Sequence, residues 1–202
     1  MKVVCNLAAT LAVFAVSSFA AQWNIDPAHS SASFAVRHMM VSTVHGSFSG
    51  LKGTVDYDPG DLAAAKANLT IDATTVDTRN ENRDKDLKSP NFFDVEKYPT
   101  ITFVSKRVVP GSGGKFQLVG DMTIHGVTKE VTFNVEGPAS PIKDGRGNSH
   151  SGATATTNVN RKDFGLTWNK ALDGGGVMVG DDVAVTVEVE LVQMKPAAGA
   201  AN

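Results

Sequence analysis

The sequence predicts an all-β, mainly antiparallel domain carrying one short helical insert. Apolar residues alternate with polar ones at a period of two along most of the chain, the spacing that puts one strand face on a core and the other in water. Turn-forming residues separate these runs, and the alternation breaks only around residue 78. In chain order the runs are Ala32/Phe34/Val36/His38, Gly53/Val55/Tyr57, Ala67/Leu69/Ile71/Ala73, Ile101/Phe103/Ser105, Phe116/Leu118, Val131/Phe133/Val135 and Val183/Val185/Val187/Val189/Leu191. Asp58-Pro59-Gly60, Gly111 to Gly114, His125-Gly126, Asp144 to Asn148 and Asp173 to Gly176 supply the turn chemistry. About eight strands at this spacing fit a barrel or a sandwich.

The insert covers about residues 78–97. Thr78-Arg79-Asn80-Glu81 has capping-box spacing, and the helix it starts runs to about Lys88, with Lys85 and Lys88 in the last turn, where cations suit the helix dipole. Ser89-Pro90 opens a further short turn through Phe92 and Phe93 that ends before Pro99. A polar helix that delivers two adjacent Phe residues is a lid or plug; sealing one end of a core would need the same residues.

Residues 1–20 read as a secretory signal. Lys2 precedes an apolar run from Leu7 to Val16 that is short for a membrane span, and Ser18 and Ala20 are the small residues of a cleavage site. Cleavage before Ala21 removes Lys2 and Cys5, leaving 182 residues without cysteine and 18 basic against 21 acidic side chains, net −3. One exported domain, 21–195, then remains, with a small-residue tail at 196–202 that has too little apolar surface to fold. No second run is long enough to span a membrane, and the expected compartment in a Gram-negative bacterium is the periplasm.

Composition and motifs remove most chemistries. The near-neutral charge argues against a nucleic-acid partner, and the absence of cysteine after cleavage removes thiol catalysis. Gly46-Ser47-Phe48-Ser49-Gly50 has Phe48 where a nucleophile elbow needs Ser, and Gly174-Gly175-Gly176 lacks the Lys of a phosphate loop. His29, His38, His45, His125 and His150 show no close metal-ligand pair, so no metal site is assigned. Asp84, Asp86 and Asp94 read as a solvated charged face. His38 shares the face of Phe34 and Val36, either as a hydrogen-bonded core residue or as the polar anchor of a ligand.

Residues 78–103, from Thr78-Arg79-Asn80-Glu81 through Phe92-Phe93 to Phe103, closely resemble the central motif of the YceI-like polyisoprenoid-binding family. Trp23 to His29, Phe34 to His38, Gly120 to Thr128 and Arg161 to Leu166 extend that resemblance over about residues 23–192. It implies an exported, lipocalin-like extended eight-stranded β-barrel, not an enzyme, whose apolar tunnel carries a polyisoprenoid or quinone-like lipid with no required cofactor. It makes Phe34, Val36, Phe92, Phe93, Phe103 and Trp168 candidates for the tunnel wall. Arg37, His38, Asn80, Arg83 and Asp84 become candidates for the polar mouth or for fixing the helix. Asp86 stands where the family often has His, which bears on head-group preference. Two further readings stay open: an envelope enzyme using His38 and Asp84 as acid and base, and a stress-related scaffold whose own side chains fill the interior. An exposed edge strand could also pair two chains into a homodimer.

Overall fold

The computed structural model describes residues 21–58 and 61–193; the expected signal segment, the tail and Pro59-Gly60 lie outside the described residues. Eleven strands are arranged in one antiparallel sheet. They are β1 (Ala21–Ile25), β2 (Ser31–His38), β3 (Ser42–Phe48), β4 (Leu51–Asp58), β5 (Asp61–Asp72), β6 (Thr100–Pro110), β7 (Lys115–Ile124), β8 (Val127–Glu136), β9 (Ile142–Lys143), β10 (Ser149–Asn160) and β11 (Val179–Gln193).

Closure follows from one ladder. β10 pairs with β11 from Ser149↔Gln193 to Asn160↔Asp182, which joins the two ends of the series β11-β1-β4-β5-β6-β7-β8-β10 into a closed eight-stranded barrel. The remaining strands lengthen this wall. β1 and β2 run along the same edge of β11, at Ile25↔Leu191 and then Ser31↔Glu188. They act as one long strand broken at 26–30. β3 and β4 likewise pair with β2 and β1 in turn. The expected lipocalin-like barrel is therefore present, and the sandwich is not.

The helical insert fills a gap in that wall. β5 stops at Asp72 and β6 begins only at Thr100, so above this point β3 is paired with β2 on one edge and has no strand on the other. A 3₁₀ turn at Ala73–Thr75 follows, and Asp77 bonds Ser47 through both backbone groups at 2.9 Å. The chain then enters helix α1 (Glu81–Lys88). The capping box expected at Thr78 and Glu81 does not form. Arg79 adopts a left-handed φ of 59°, which moves the cap to Asn80, whose side chain accepts from the Arg83 amide at 3.0 Å. Thr78 is buried and braces the helix instead. Its amide and hydroxyl donate to Asp84 at 2.8 and 2.6 Å, while Arg83 donates to the Thr78 hydroxyl at 2.7 Å and carbonyl at 2.8 Å. Beyond Lys88 the insert is turns rather than helix, with Phe93 N–H donating to Leu87 at 2.9 Å and Val95 to Lys88 at 3.1 Å.

A second brace sits opposite. A 3₁₀ turn at Arg161–Phe164 ends at Gly165 (φ 81°), and Arg161 is only 6% exposed. Its guanidinium donates to the carbonyls of Gly180 at 2.9 Å, Trp168 at 2.9 Å and Leu166, and reaches Asp181 at 3.4 Å. Burial lowers its pKa, and Asp181 opposes that shift. The planar fork is what spans carbonyls on two segments, and a lysine ammonium cannot. Arg161→Lys should cost about 3 kcal/mol in urea denaturation. A loss below about 1 kcal/mol would show that these carbonyls find other donors.

Candidate functional site: an apolar barrel interior

The barrel interior is hollow. Two cavities of about 100 and 110 Å³ are stacked along its axis. Both touch Ile71, Ile101 and Met122, on the adjacent strands β5, β6 and β7, and this shared stretch of wall is the waist at which the chambers meet. The lower chamber is walled by Leu51, Val55, Tyr57, Phe103, Phe116, Phe133 and the small residues Ala65, Ala67, Ala153 and Ala155. The upper chamber is walled by Phe34, Val36, Phe48, Leu87, Phe92, Phe93, Phe164, Val183 and Val185. β11 serves both, with Val179, Val183 and Val185 above and Val187, Val189 and Leu191 below. Its predicted alternation is thus the alternation between cavity and solvent.

Several inward residues, among them Phe34, Val36, Leu87, Phe93, Val183 and Val185, are only half-buried. A close-packed interior would bury them completely. Aromatic contacts frame the upper chamber instead of filling it. Phe48 lies 5.7 Å from Phe34 and 5.6 Å from Phe93, and Phe92 lies 5.3 Å from Trp168. Gly46 makes the room: a Cβ there would sit 2.3 Å from the Phe34 ring.

The predicted site residues divide into two groups. Phe34, Val36, Phe92 and Phe93 line the upper chamber and Phe103 the lower. Trp168 is not on the wall; it stands behind Phe92. The polar candidates do not form a mouth. Arg37 points outward, as its odd phase relative to Phe34 and Val36 requires, and donates to Thr43 at 3.1 Å and the Met40 carbonyl at 2.8 Å. Asn80, Arg83 and Asp84 are spent on the helix brace described above. His38 closes β2 beside Val179 and Ser42, outside both chamber walls. No hydrogen bond or ion pair joins it to Asp84 among the described residues, so an acid–base pair is not assembled.

Sequence reading missed the waist, because Ile71, Ile101 and Met122 come from three strands and no local pattern marks their meeting. It also missed Arg161, which reaches the upper chamber wall. Its place at the head of Arg161-Lys162-Asp163-Phe164-Gly165 was the available signal. At the lower end, Trp23 stacks on Tyr57 at 5.1 Å. Neither the Trp23 indole N–H nor the Tyr57 hydroxyl has a partner in hydrogen-bonding geometry. Burial raises the Tyr57 pKa, with Ser151 close enough to oppose the shift.

Such a closed antiparallel barrel, with an apolar interior and a helical insert in its wall, defines a lipocalin-like binding fold. The YceI-like domain matches residues 23–191, and the chain belongs to that family. It is 39% identical over 168 residues to the UPF0312 protein SAS2572 of Staphylococcus aureus strain MSSA476, covering 83% of this chain and 95% of that protein. Among solved structures it resembles BcnA of Burkholderia cenocepacia, with TM-score 0.69 and 25% identity over 84% of this chain and 99% of that one. A polyisoprenoid-binding domain from Saccharophagus degradans shares the fold, with TM-score 0.60 and 16% identity over 85% of this chain and 98% of that one.

Charge gathers away from the tunnel, on the lower outer flank. His150 Nδ1 lies 2.8 Å from Glu190 and Nε2 3.2 Å from Asp144, while His29 Nδ1 lies 2.8 Å from Asp26 and 3.9 Å from Glu190. Hydrogen bonds to Glu190 and Asp144 raise the His150 pKa, and Asp26 raises that of His29. Burial works to raise Asp144, but bonds from the Asn148 amide, His150, the Arg146 amide and the Asn148 side chain overrule it and hold the group at about 2. The stabilisation from His150 is therefore complete below the ordinary histidine range and lost as pH rises through the raised folded value. Thermal melts should show His150→Gln losing most near pH 6 and little near about pH 9. Equal losses at both would mean that the ring acts only by packing.

Proposed function

We propose that this chain binds a polyisoprenoid or similar long amphiphilic lipid, such as a quinone or polyprenyl chain, and carries or sequesters it in the bacterial periplasm. The observation that carries this reading is the pair of apolar chambers that share Ile71, Ile101 and Met122 in their walls. Stacked chambers suit a long, slender guest better than a compact one. The family, and a fold neighbour that is a polyisoprenoid-binding domain, support the same ligand class. The chambers offer binding rather than catalysis: Arg161, the guanidinium at the upper wall, is already committed to carbonyls and Asp181.

Dimensions shape the proposal. A dry cavity of about 150 Å³ holds a benzene ring. Each chamber is therefore of fragment size, and a long chain must spread the half-buried walls around Phe34, Phe93, Phe116 and Val185. The gain is about 0.8 kcal/mol for each CH₂ taken out of water.

Native mass spectrometry and solvent extraction of the purified protein test the proposal directly. An isoprenoid mass should accompany the chain, or load when octaprenyl alcohol is offered. Protein that arrives empty and loads nothing contradicts it. Ile71→Trp, which blocks the waist, should cut octaprenyl binding by about a hundredfold and spare a geranyl-length chain within threefold, an effect read by displacement of a fluorescent fatty chain. Equal loss for both lengths would show that the waist is not a passage.

A further inference from the structure

The β2–β3 hairpin tip is built against the preferences of its own backbone. Met39 and Met40 are the central residues of the turn His38–Val41, within a three-residue loop, with φ of 49° and 61°, and Val41 N–H donates to the His38 carbonyl at 3.1 Å. Such a turn favours Asn-Gly, because a Cβ is crowded in the left-handed region. The corresponding turn between β7 and β8 uses His125-Gly126, which suits the same backbone far better. The Met-Met tip is nevertheless held firmly. Met39 N–H donates to the Met178 carbonyl at 2.7 Å, and Arg37 grips the Met40 carbonyl and Thr43.

Its side chains are left largely to solvent. Met39, Met40 and Val41 are 42%, 53% and 79% exposed, three consecutive members of the six exposed large hydrophobic residues among those described. They crown the strand pair β2/β11, whose Val36 and Val179 line the upper chamber, and His38 lies opposite Val179 in register. An apolar tip thus projects directly beyond one chamber wall.

We propose that this tip inserts into a lipid bilayer surface and seats the upper chamber on the membrane that supplies or receives its ligand. The inference rests on the lipid-binding reading: a water-insoluble chain moves between bilayer and barrel most readily where apolar contact is continuous. Met side chains suit a disordered acyl surface, being unbranched and adaptable. Arg37 is the positioning residue that presents them.

The test uses residues 21–202, which contain the whole described barrel, in flotation with two kinds of vesicle: phosphatidylcholine alone, and equal parts phosphatidylethanolamine and phosphatidylglycerol. The wild type should float with both. Met39→Asn/Met40→Gly/Val41→Thr should lower the partition coefficient about tenfold on both, while melting no lower than wild type because the turn now has its favoured residues. A variant that floats as well as wild type overturns the proposal. So does a wild type that floats only with the anionic vesicles and is unaffected by the substitutions, or sedimentation showing that the tip instead pairs two copies without lipid. A chain that holds isoprenoid yet never floats overturns docking alone. One that floats but loads no isoprenoid overturns the proposed function alone.

Discussion

The antiparallel ladder between Ser149–Asn160 and Asp182–Gln193 is the constraint on which the rest of the molecule depends. Without it the sheet would have two bare edges, and its apolar face would have to find a second layer. With it, every inward side chain is turned toward one axis. An eight-stranded barrel has an interior just wide enough for side chains to fill. Here many of those side chains are small or slender, as at Ala65, Ala67, Ala153, Ala155 and the valines of β11, and the axis stays hollow. Closure and composition together make the cavity.

Two braces keep the upper end from collapsing into that space. Thr78, Arg83 and Asp84 fasten α1 where β5 and β6 leave the wall open, and this holds Leu87, Phe92 and Phe93 against the upper chamber. Arg161 ties the Arg161–Phe164 turn to the carbonyls of Trp168 and Gly180. Both braces spend charged or polar groups on backbone and side-chain partners. That is why residues which look like a polar mouth in the sequence do not form one in space.

Much of this architecture was legible from residues alone. The alternation of Val183 to Leu191 named both the strand and its inward face, and Phe34, Val36, Phe92, Phe93 and Phe103 all stand on chamber walls. The family resemblance turned a choice between barrel and sandwich into a closed barrel. For Asn80, Arg83 and Asp84 the residues alone left two readings, polar mouth or helix fixing, and the geometry shows helix fixing; a hydroxyl or guanidinium is placed by its partners, and partners such as Thr78 with Asp84 depend on a local turn at Arg79. Trp168 shows the same limit for an aromatic residue: its ring packs behind Phe92 rather than beside it on the wall. The waist was invisible, because the placing of Ile71 opposite Ile101, with Met122 on the next strand opposite Phe103, is a property of sheet register.

The two chambers are proposed to act as one continuous apolar site. Calorimetric titration with prenyl alcohols of increasing length tests it most directly. A continuous site predicts that affinity rises by about tenfold or more with each added isoprene unit until both chambers are filled, and then levels off. Affinity that levels off once one chamber is filled, or that ignores chain length altogether, would contradict the account.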